Sequence, residues 1–282
     1  MILSIVTINR NNASGLRNTM RSVLGQGYSN FEFVVVDGAS TDGSVDVINE
    51  YASAFGGRLK WISEPDNGIY NAMNKGLSMA SGEYVEFLNS GDCLIAADVT
   101  ERMVQSLDAN GHPPILYGNM VKSFPDGKRL RDLCFAGKEI SLLGFYTGTL
   151  NHSPAYIRKE LFDRFGLYDE SLRIVSDWKW YLQVIVLGGV QPVYANIDVT
   201  LFDMTGISET NKDLEKAERG KVLEELVPQA VISDYSRYSF AIEQYKRLNR
   251  HPWSYKVMWF IERVLFKFEK LEMKRAKTVE YR

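Results

Sequence analysis

The chain contains the stretch FVVVDGASTDGS at residues 33–44, an apolar run that ends abruptly in Asp37 and Gly38. A second apolar run, YVEFLNSGD at residues 84–92, ends in the same way, in a glycine and Asp92. Open α/β sheets bind ligands in the crevice beyond the carboxyl ends of their strands. Two such strand ends, one suited to a base or a ribose and one to a metal, suggest a pocket for a nucleotide diphosphate.

Short apolar segments alternate with amphipathic ones around these two stretches. Strands are predicted at residues 2–8, 31–36, 59–62 and 84–88, and helices at residues 14–24, 42–55, 70–79 and 98–107. This order predicts an α/β fold with a mixed, mainly parallel sheet that is flanked by helices. Farther along, strands are predicted at residues 115–120 and 190–194, and a turn at residues 125–127.

The character of the chain changes near residue 207. Highly charged helical patterns follow, at residues 209–227, 236–248 and 253–275. We therefore predict a nucleotide-binding domain at residues 1–207 and a helical C-terminal extension at residues 208–282.

Composition and charge exclude several classes of protein. The 282 residues carry a formal net charge of -2, whereas general nucleic-acid binders usually have a basic surplus, so no nucleic acid is expected as a partner. Cys93 and Cys134 lie far apart in the sequence, which predicts neither a disulfide framework nor a zinc site. No signal-peptide pattern and no apolar stretch of about 18 residues occurs, so a cytoplasmic location is expected.

The two strand ends carry the first candidate site residues. Asp37 is able to accept hydrogen bonds from a base imide or from ribose hydroxyls, whereas Asp42 and Ser40 are more typical of a turn. Asp92 is able to hold a hard divalent cation, which usually binds one or two carboxylates plus substrate phosphates. A simple β-turn also fits NSGD, and its pairing with the Asp37 strand end favours the metal.

Two later segments carry further candidates. In EPDNGIYNAMNKG at residues 64–76, Asp66 can begin a helix, and Lys75 shares one helix face with two asparagines. That face suits a sugar-nucleotide pocket with Lys75 as a phosphate or base contact, or a solvated surface. In SDWKWY at residues 176–181, Asp177 fits a helix start or a general base, and Trp178 fits a sugar-stacking surface or the core.

Taken in order, these motifs resemble the family 2 glycosyltransferases, which have the GT-A fold. The resemblance covers roughly residues 2–205 and includes SIVT, VVVDGASTDGS, EPDNGIYNAMNKG, SGEYVEFLNSGD and the helix at Asp177. It implies an inverting, hexosyltransferase-like enzyme that uses a nucleotide-diphosphate sugar and Mg²⁺ or Mn²⁺. The implied acceptor is a hydroxyl of a glycan or of a lipid-linked molecule, in polysaccharide biosynthesis for the cell envelope.

The resemblance also implies roles for individual residues. It places the nucleoside at Thr7 and Asp37, and the catalytic base at Asp177. Asn89, Ser90 and the metal ligand Asp92 fall on the family's acidic motif, and His152 lies where the family builds the acceptor side. From their own chemistry, Asp66 and Lys75 are expected as further donor contacts and Trp178 as a further residue on the acceptor side. A hydrogen-bonded structural role fits His152 equally well.

The chain departs from the family pattern at both strand ends. The family often has Asp-Ala-Asp-Asp where Asn89 and Gly91 replace two carboxylates here, which leaves Asp92 as the sole strong ligand in the motif. Gly38 stands where the nucleoside motif has its second carboxylate, so Asp37 is expected to act alone.

An apolar stripe and a basic surplus run through residues 253–277. The apolar members are Val257, Phe260, Ile261, Val264, Leu265, Phe268 and Leu271, and the basic ones are Lys256, Arg263, Lys267, Lys270, Lys274, Arg275 and Lys277. Such a helix suits a membrane interface with anionic lipids, here the inner face of the cytoplasmic membrane. It equally suits packing on the catalytic domain or on a second copy in a homodimer.

Two other functions compete with this interpretation. A non-catalytic sugar-nucleotide-binding module would bind a donor without turnover. A metal-dependent nucleotidyltransferase would need a glycine-rich basic loop after the first strand, where the chain has Asn9–Asn12. A dinucleotide-dependent dehydrogenase is disfavoured because GxGxxG is absent there.

Overall fold

The computed structural model of the protein describes residues 3–138, 140–204, 211–249 and 253–279. The strands in these residues are β1 (Leu3–Asn9), β2 (Phe31–Asp37), β3 (Leu59–Ser63), β4 (Tyr84–Phe87), β5 (Cys93–Leu94), β6 (Ile115–Ser123), β7 (Arg129–Asp132), β8 (Ala155–Arg158) and β9 (Val193–Asp203). The α-helices are α1 (Ala13–Leu24), α2 (Ser44–Ala52), α3 (Ile69–Met79), α4 (Val99–Ala109), α5 (Leu142–Thr147), α6 (Glu160–Phe165), α7 (Ser176–Tyr181), α8 (Lys212–Leu226), α9 (Gln229–Asn249) and α10 (Ser254–Val279).

The strands form one mixed sheet in the order β3-β2-β1-β4-β8-β6-β9-β5, and β7 pairs with β6. The strands from β3 to β4 are all parallel, as expected for strands that are joined by helical crossovers. β8 then runs antiparallel between β4 and β6, while β9 is parallel to β6. The predicted fold class, a mainly parallel sheet between helices, is confirmed.

Helices cover both faces of the parallel half of the sheet. Side chains of α1, α2 and α4 share a core with one face of β1 and β2. On the other face α3 lies against β1, where a side chain at Gly76 would come within 2.4 Å of Val6 Cγ1. β2 is buried along its whole length, and burying one valine or phenylalanine side chain contributes about 1.5–3 kcal/mol. This burial explains why β2 reads as a nearly continuous apolar run.

The register of the parallel strands brings the predicted strand ends to one edge. Asn9 pairs with Asp37, and Asp37 pairs with Ser63 at the end of β3. Asn89 and Ser90 follow β4 directly, and the Ser90 backbone N–H donates to the carbonyl of Ile8 at 3.1 Å. The ends of β1, β2 and β4 therefore meet at one edge.

The second half of the chain differs in detail from the predicted pattern. The turn predicted at residues 125–127 is present and joins β6 to β7, with Phe124 and Lys128 paired through their backbones at 3.0 Å. The late strand is longer than predicted, because β9 runs past residue 194 to Asp203 alongside β6. α7 continues as a π-helical segment at Leu182–Leu187.

The chain forms two compact units, Met1–Leu226 and Val227–Arg282. Helix α8 thus belongs to the first unit, whereas the composition of the sequence placed the boundary near residue 207. The second unit contains the long helices α9 and α10. None of the described helices combines the length and the apolarity that a membrane crossing requires.

Candidate active site

The carboxylate of Asp37 is buried at the end of β2 and has both oxygens occupied. Asn9 Nδ2 donates to it at 2.7 Å, the Ser40 backbone and hydroxyl at 2.9 and 2.6 Å, and the Ser63 hydroxyl at 2.7 Å. Burial alone raises the pKa of Asp37, but these hydrogen bonds outweigh it and hold the pKa below its usual value. Asp37 therefore connects the ends of β1, β2 and β3 and lies buried at this edge of the sheet.

Ser90 connects the second strand end to the first. Its hydroxyl donates to Asn9 Oδ1 at 2.7 Å, while Asn9 also donates to Asp37. Thr7 is fully buried and donates to the carbonyl of Leu88 at 2.5 Å. Thr7, Asp37 and Ser90 are thus brought together, as the sequence suggested.

Asp66 reaches the same edge beside Gly38. A Cβ atom at position 38 would lie 2.2 Å from Asp66 Oδ2, so the space of the missing side chain is filled by this second carboxylate. The Gly68 backbone N–H donates to Asp66 Oδ1 at 3.0 Å, and the exposed Arg10 guanidinium lies 3.6 Å from the same oxygen. The expectation that Asp37 is the lone carboxylate at this strand end is corrected, because Asp66 stands next to it in space.

Lys75 contacts the turn before α3 rather than the strand ends. Its ammonium donates to the Pro65 carbonyl at 2.8 Å and lies 2.7 Å from the Glu64 carboxylate. The two asparagines on the same helix face, Asn71 and Asn74, bond instead to the carboxylate of Glu170. This amide face therefore packs against a neighbouring segment.

Asp177 is the second residue of α7 and lies between two donors. Its Oδ1 is 2.8 Å from the Tyr70 hydroxyl, and its Oδ2 is 3.2 Å from His152 Nδ1. The side chains of Asp177 and His152 are 17% and 19% exposed, so both remain accessible to a small molecule. On its other side His152 Nε2 lies 3.4 Å from Asn89 Nδ2. Three residues that the sequence singled out separately, Asn89, His152 and Asp177, thus form one chain of contacts.

The pair of Asp177 and His152 is electrostatically matched. Burial raises the pKa of Asp177, but the hydrogen bond and charge of His152, together with the Tyr70 hydroxyl, lower it below its usual value. Burial lowers the pKa of His152, and Asp177 outweighs burial and raises it. Asp177 is therefore an ionised carboxylate at neutral pH, held in one orientation.

Asp92 lies deeper in the protein than the other strand-end residues. It is 4% exposed, and its Oδ1 accepts the Asp203 backbone N–H at 2.9 Å. Burial, reinforced by the negative charge of Asp203, raises the pKa of Asp92 to about 7, while His152 acts in the opposite direction. A buried carboxylate with a second carboxylate beside it is a common setting for a bound cation.

The groups around Asp92 fit a divalent cation that takes its other ligands from substrate. Asn89 Oδ1 is buried and has no hydrogen-bond partner among the described residues, so an additional oxygen is available beside the aspartates. Within the described residues no group of three His, Cys, Asp or Glu side chains is arranged as a metal cage. Mg²⁺ is usually bound by one or two carboxylates plus phosphates, and it needs no such cage.

Trp178 packs in the core. Its side chain is 2% exposed, and its indole N–H donates to the carbonyls of Phe145 and Gly148 at 3.1 Å each. The Arg219 guanidinium covers the ring, 4.9 Å from its centroid. The structure therefore gives Trp178 packing contacts, whereas His152 stays at the site.

The sequence missed Tyr70 and Asp203 as site residues. Tyr70 was hidden because its role depends on Asp177, which is distant in sequence. Asp203 carried a usable signal, since it ends an apolar strand in the same way as Asp37. An open cleft of about 520 Å³ adjoins Asp203 and is lined by Gly91, Arg21 and Phe124.

The sequence is similar to a family of glycosyltransferases and to several of its mycobacterial members. The sequence profile described as glycosyl transferase family 2 matches residues 4–166. An uncharacterised glycosyltransferase of Mycobacterium tuberculosis is 31% identical over 208 residues, which are 73% of this chain and 76% of that protein. A PGL/p-HBAD biosynthesis glycosyltransferase of Mycobacterium bovis is 27% identical over 220 residues, 77% of this chain and 83% of that protein.

Solved structures share the fold. Residues 1–349 of S. aureus TarS in complex with UDP superpose with a TM-score of 0.58 at 20% identity, over 72% of this chain and 60% of that chain. The mannosyltransferase PcManGT of Pyrobaculum calidifontis, in complex with GDP-Man and Mn²⁺, gives a TM-score of 0.57 at 21% identity, over 71% and 56%. The chain thus spans less than two thirds of either solved chain.

Proposed function

The chain belongs to glycosyl transferase family 2, and from this premise we propose that it transfers a sugar from a nucleotide-diphosphate sugar to an acceptor hydroxyl with inversion. The observation that carries the proposal is the ionised, partly exposed Asp177 carboxylate, which Tyr70 and His152 hold next to the strand-end edge. Inverting transfer needs one base on the acceptor side and one charge-stabilising site on the donor side.

Asp177 is the proposed base. As the acceptor oxygen attacks the anomeric carbon, its proton passes to a carboxylate oxygen of Asp177, and the nucleoside diphosphate leaves that carbon from the opposite face. Tyr70 and His152 keep the carboxylate ionised and fixed in direction, because each donates to a different oxygen. Fixed orientation of a base reduces the reorganisation needed to reach the transition state.

The donor binds, in this proposal, at the carboxyl ends of β1, β2 and β4. Asp66 accepts a hydrogen bond from an N–H group of the nucleobase, while Asp37 and Thr7 support the backbone beneath the nucleoside. Asn89 and Ser90 face the diphosphate from the loop after β4. Lys75 supports the Asp66 turn through the Pro65 carbonyl.

Asp92 is the proposed ligand of Mg²⁺ or Mn²⁺, with Asp203 beside it. When bound, the cation would offset the negative charge that develops on the leaving diphosphate. The family relationship, the pair of aspartates and the Asn89 oxygen support this role. PcManGT, which shares the fold, binds GDP-Man together with Mn²⁺, and this is a parallel to the proposed cation site.

A glycan or lipid-linked acceptor and a role in cell-envelope polysaccharide synthesis are the proposed context. A mycobacterial relative is named for PGL/p-HBAD biosynthesis, which supports a glycolipid class of product. The second unit supports it independently, because α10 exposes aromatic side chains such as Trp259 and Phe260 next to Lys256 and Arg263. We place the enzyme at the cytoplasmic face of the membrane.

Binding and hydrolysis of a donor panel test the proposal. UDP-, GDP- and dTDP-sugars are mixed with the wild-type protein and with Asp177→Asn, with and without Mn²⁺, and thermal stabilisation and diphosphate release are recorded. We expect stabilisation by one nucleotide class in both proteins, and slow hydrolysis that Asp177→Asn reduces about 10²-fold or more, a typical effect of losing a general base.

Two results would contradict the proposal. Near-normal hydrolysis by a folded Asp177→Asn protein would remove Asp177 from the role of base. Binding of a donor without hydrolysis, also in the presence of simple glycan acceptors, would favour a non-catalytic binding module.

A further inference from the structure

Helix α8 places a buried carboxylate against the chain that leads into α7. Glu218 is 9% exposed, and its Oε1 accepts the Arg173 backbone N–H at 2.7 Å. Its Oε2 accepts the N–H groups of Ile174 and Val175 at 2.9 and 3.2 Å. One side chain therefore fixes three consecutive peptide groups immediately before Ser176, where α7 begins.

One of these three residues, Ile174, also contacts Tyr70. The Tyr70 hydroxyl lies within hydrogen-bond distance of the Ile174 carbonyl and of Asp177 Oδ1, at 2.5 and 2.8 Å. A continuous path of contacts therefore runs from Glu218 through the Ile174 peptide and Tyr70 to Asp177. His152 and Asn89 extend that path on the far side of the carboxylate.

Two further contacts fix α8 against α7. The Glu225 carboxylate lies 2.8 Å from the Lys179 ammonium, and Arg219 donates to the Gly148 carbonyl at 3.1 Å while it covers Trp178. The helix thus contacts α7 and its flanking loop at three places along its length. A helix held in this way keeps Glu218 at a constant distance from the Ile174 peptide.

We propose that Glu218 is a positioning residue for the Asp177 carboxylate and acts through the Arg173–Val175 backbone and Tyr70. The inference rests on the proposed role of Asp177 as the base. A carboxylate suits this task because its two oxygens offer lone pairs to all three N–H groups. An amide in its place would turn an NH₂ group towards at least one backbone donor, and buried unpaired donors are costly.

Glu218→Gln tests this role, with Glu224→Gln as a matched control on the exposed side of the same helix. Hydrolysis of UDP-glucose, UDP-N-acetylglucosamine and GDP-mannose is measured with water as the acceptor, and folding is checked by circular dichroism. For Glu218→Gln we expect kcat to fall about tenfold, a fraction of the total effect of a general base, while KM for the donor changes less than about twofold. Glu224→Gln should leave both constants unchanged.

A titration of His152 gives a readout that needs no substrate. The imidazole pKa is followed by NMR in wild-type protein and in both variants, and the signal is assigned with His152→Gln. Burial lowers the pKa of His152, and Asp177, with a smaller effect of Asp92, raises it, so displacement of Asp177 should lower it. We expect a lower imidazole pKa in Glu218→Gln and an unchanged value in Glu224→Gln.

The outcomes separate the inference from the proposed function. An unchanged imidazole pKa in a folded Glu218→Gln protein would overturn the positioning role. The positioning role would also be overturned if the fall in kcat of Glu218→Gln were fully explained by the fraction of that variant that is unfolded. If the wild-type protein hydrolyses none of the UDP-, GDP- and dTDP-sugars of the donor panel, the proposed function fails, whereas the titration still decides whether Glu218 positions Asp177.

Discussion

Glu86 is a carboxyl group buried in the middle of β4. It is fully buried, and the Tyr156 hydroxyl lies next to its carboxyl group. Burial raises the pKa of Glu86 well above its usual value, so the folded protein favours the protonated form of this group. The unfolded chain ionises this group above about pH 4.5, and the free energy of unfolding therefore falls as the pH rises beyond that point.

Glu86→Gln should remove this pH-dependent loss of stability. Glutamine keeps the shape of the protonated acid and does not ionise, so the variant should gain stability relative to wild type at pH 8 but little at pH 5. Urea unfolding at both pH values measures the difference, with the exposed Glu83→Gln as the control. An equal response of wild type and Glu86→Gln to pH would show that Glu86 is not protonated in the fold.

Gly38 leaves room for Asp66, the second carboxylate of the proposed donor site. Because a Cβ atom there would lie 2.2 Å from Asp66 Oδ2, Gly38→Ala should displace Asp66 from the strand-end edge. We expect nucleotide-sugar affinity to fall about tenfold, the scale of one lost charged hydrogen bond. Isothermal titration with the donor that the panel identifies gives the measurement. Gly220→Ala on α8, where a Cβ atom would meet nothing within 4 Å, is the control and should leave affinity unchanged.

At the scale of elements, the parallel strands were predictable and the contacts between distant elements were not. β1, β2 and β4 are recognisable in the sequence because buried parallel strands are apolar runs. Each run is followed or ended by a polar residue at the shared edge. The polar face of α3 was ambiguous, because Asn71 and Asn74 bond to a segment almost a hundred residues away. The sequence indicated Asp177 because it lies at a helix start. It did not indicate Tyr70, because the contact between these two residues joins distant parts of the chain.

Helix α10 exposes more apolar surface than the predicted stripe. Trp259 and Phe266, which lie outside that stripe, are 58% and 57% exposed, in addition to Phe260 and Phe268. Exposed aromatic rings beside basic side chains suit the interface of an anionic bilayer. We expect the full chain to co-sediment with vesicles of phosphatidylglycerol and phosphatidylcholine, and less with phosphatidylcholine alone.

Replacing two of the aromatic side chains should weaken that binding. Phe260→Ser with Phe268→Ser should reduce co-sedimentation severalfold, whereas Glu262→Gln with Glu269→Gln on the same helix should maintain or increase it. Equal sedimentation of all variants would count against lipid binding. A concentration-dependent dimer that these serine substitutions dissociate would instead assign the surface to a second copy of the chain.

At the scale of the whole molecule, the limit of the first compact unit can be tested by truncation. A chain that ends at Leu226 retains α8 with Glu218, Arg219 and Glu225, whereas a chain that ends at Ile207 lacks them. We expect the first to keep its melting temperature and donor hydrolysis. The second should melt at a lower temperature and hydrolyse donors at least about tenfold more slowly, because it lacks the contacts that hold α7. Equal activity of the two chains would restore a boundary near residue 207.

The contacts around Asp177 have a consequence for protein engineering. Tyr70 and Asn89 come from the segment that supplies the proposed donor edge, while His152 and Asp177 come from the later part of the chain. Chimaeras that join the first half of one relative to the second half of another must therefore match these four positions across the junction. A library recombined with that constraint should yield functional hybrids more often than one recombined at random, and would allow donor preference to be exchanged independently of acceptor preference.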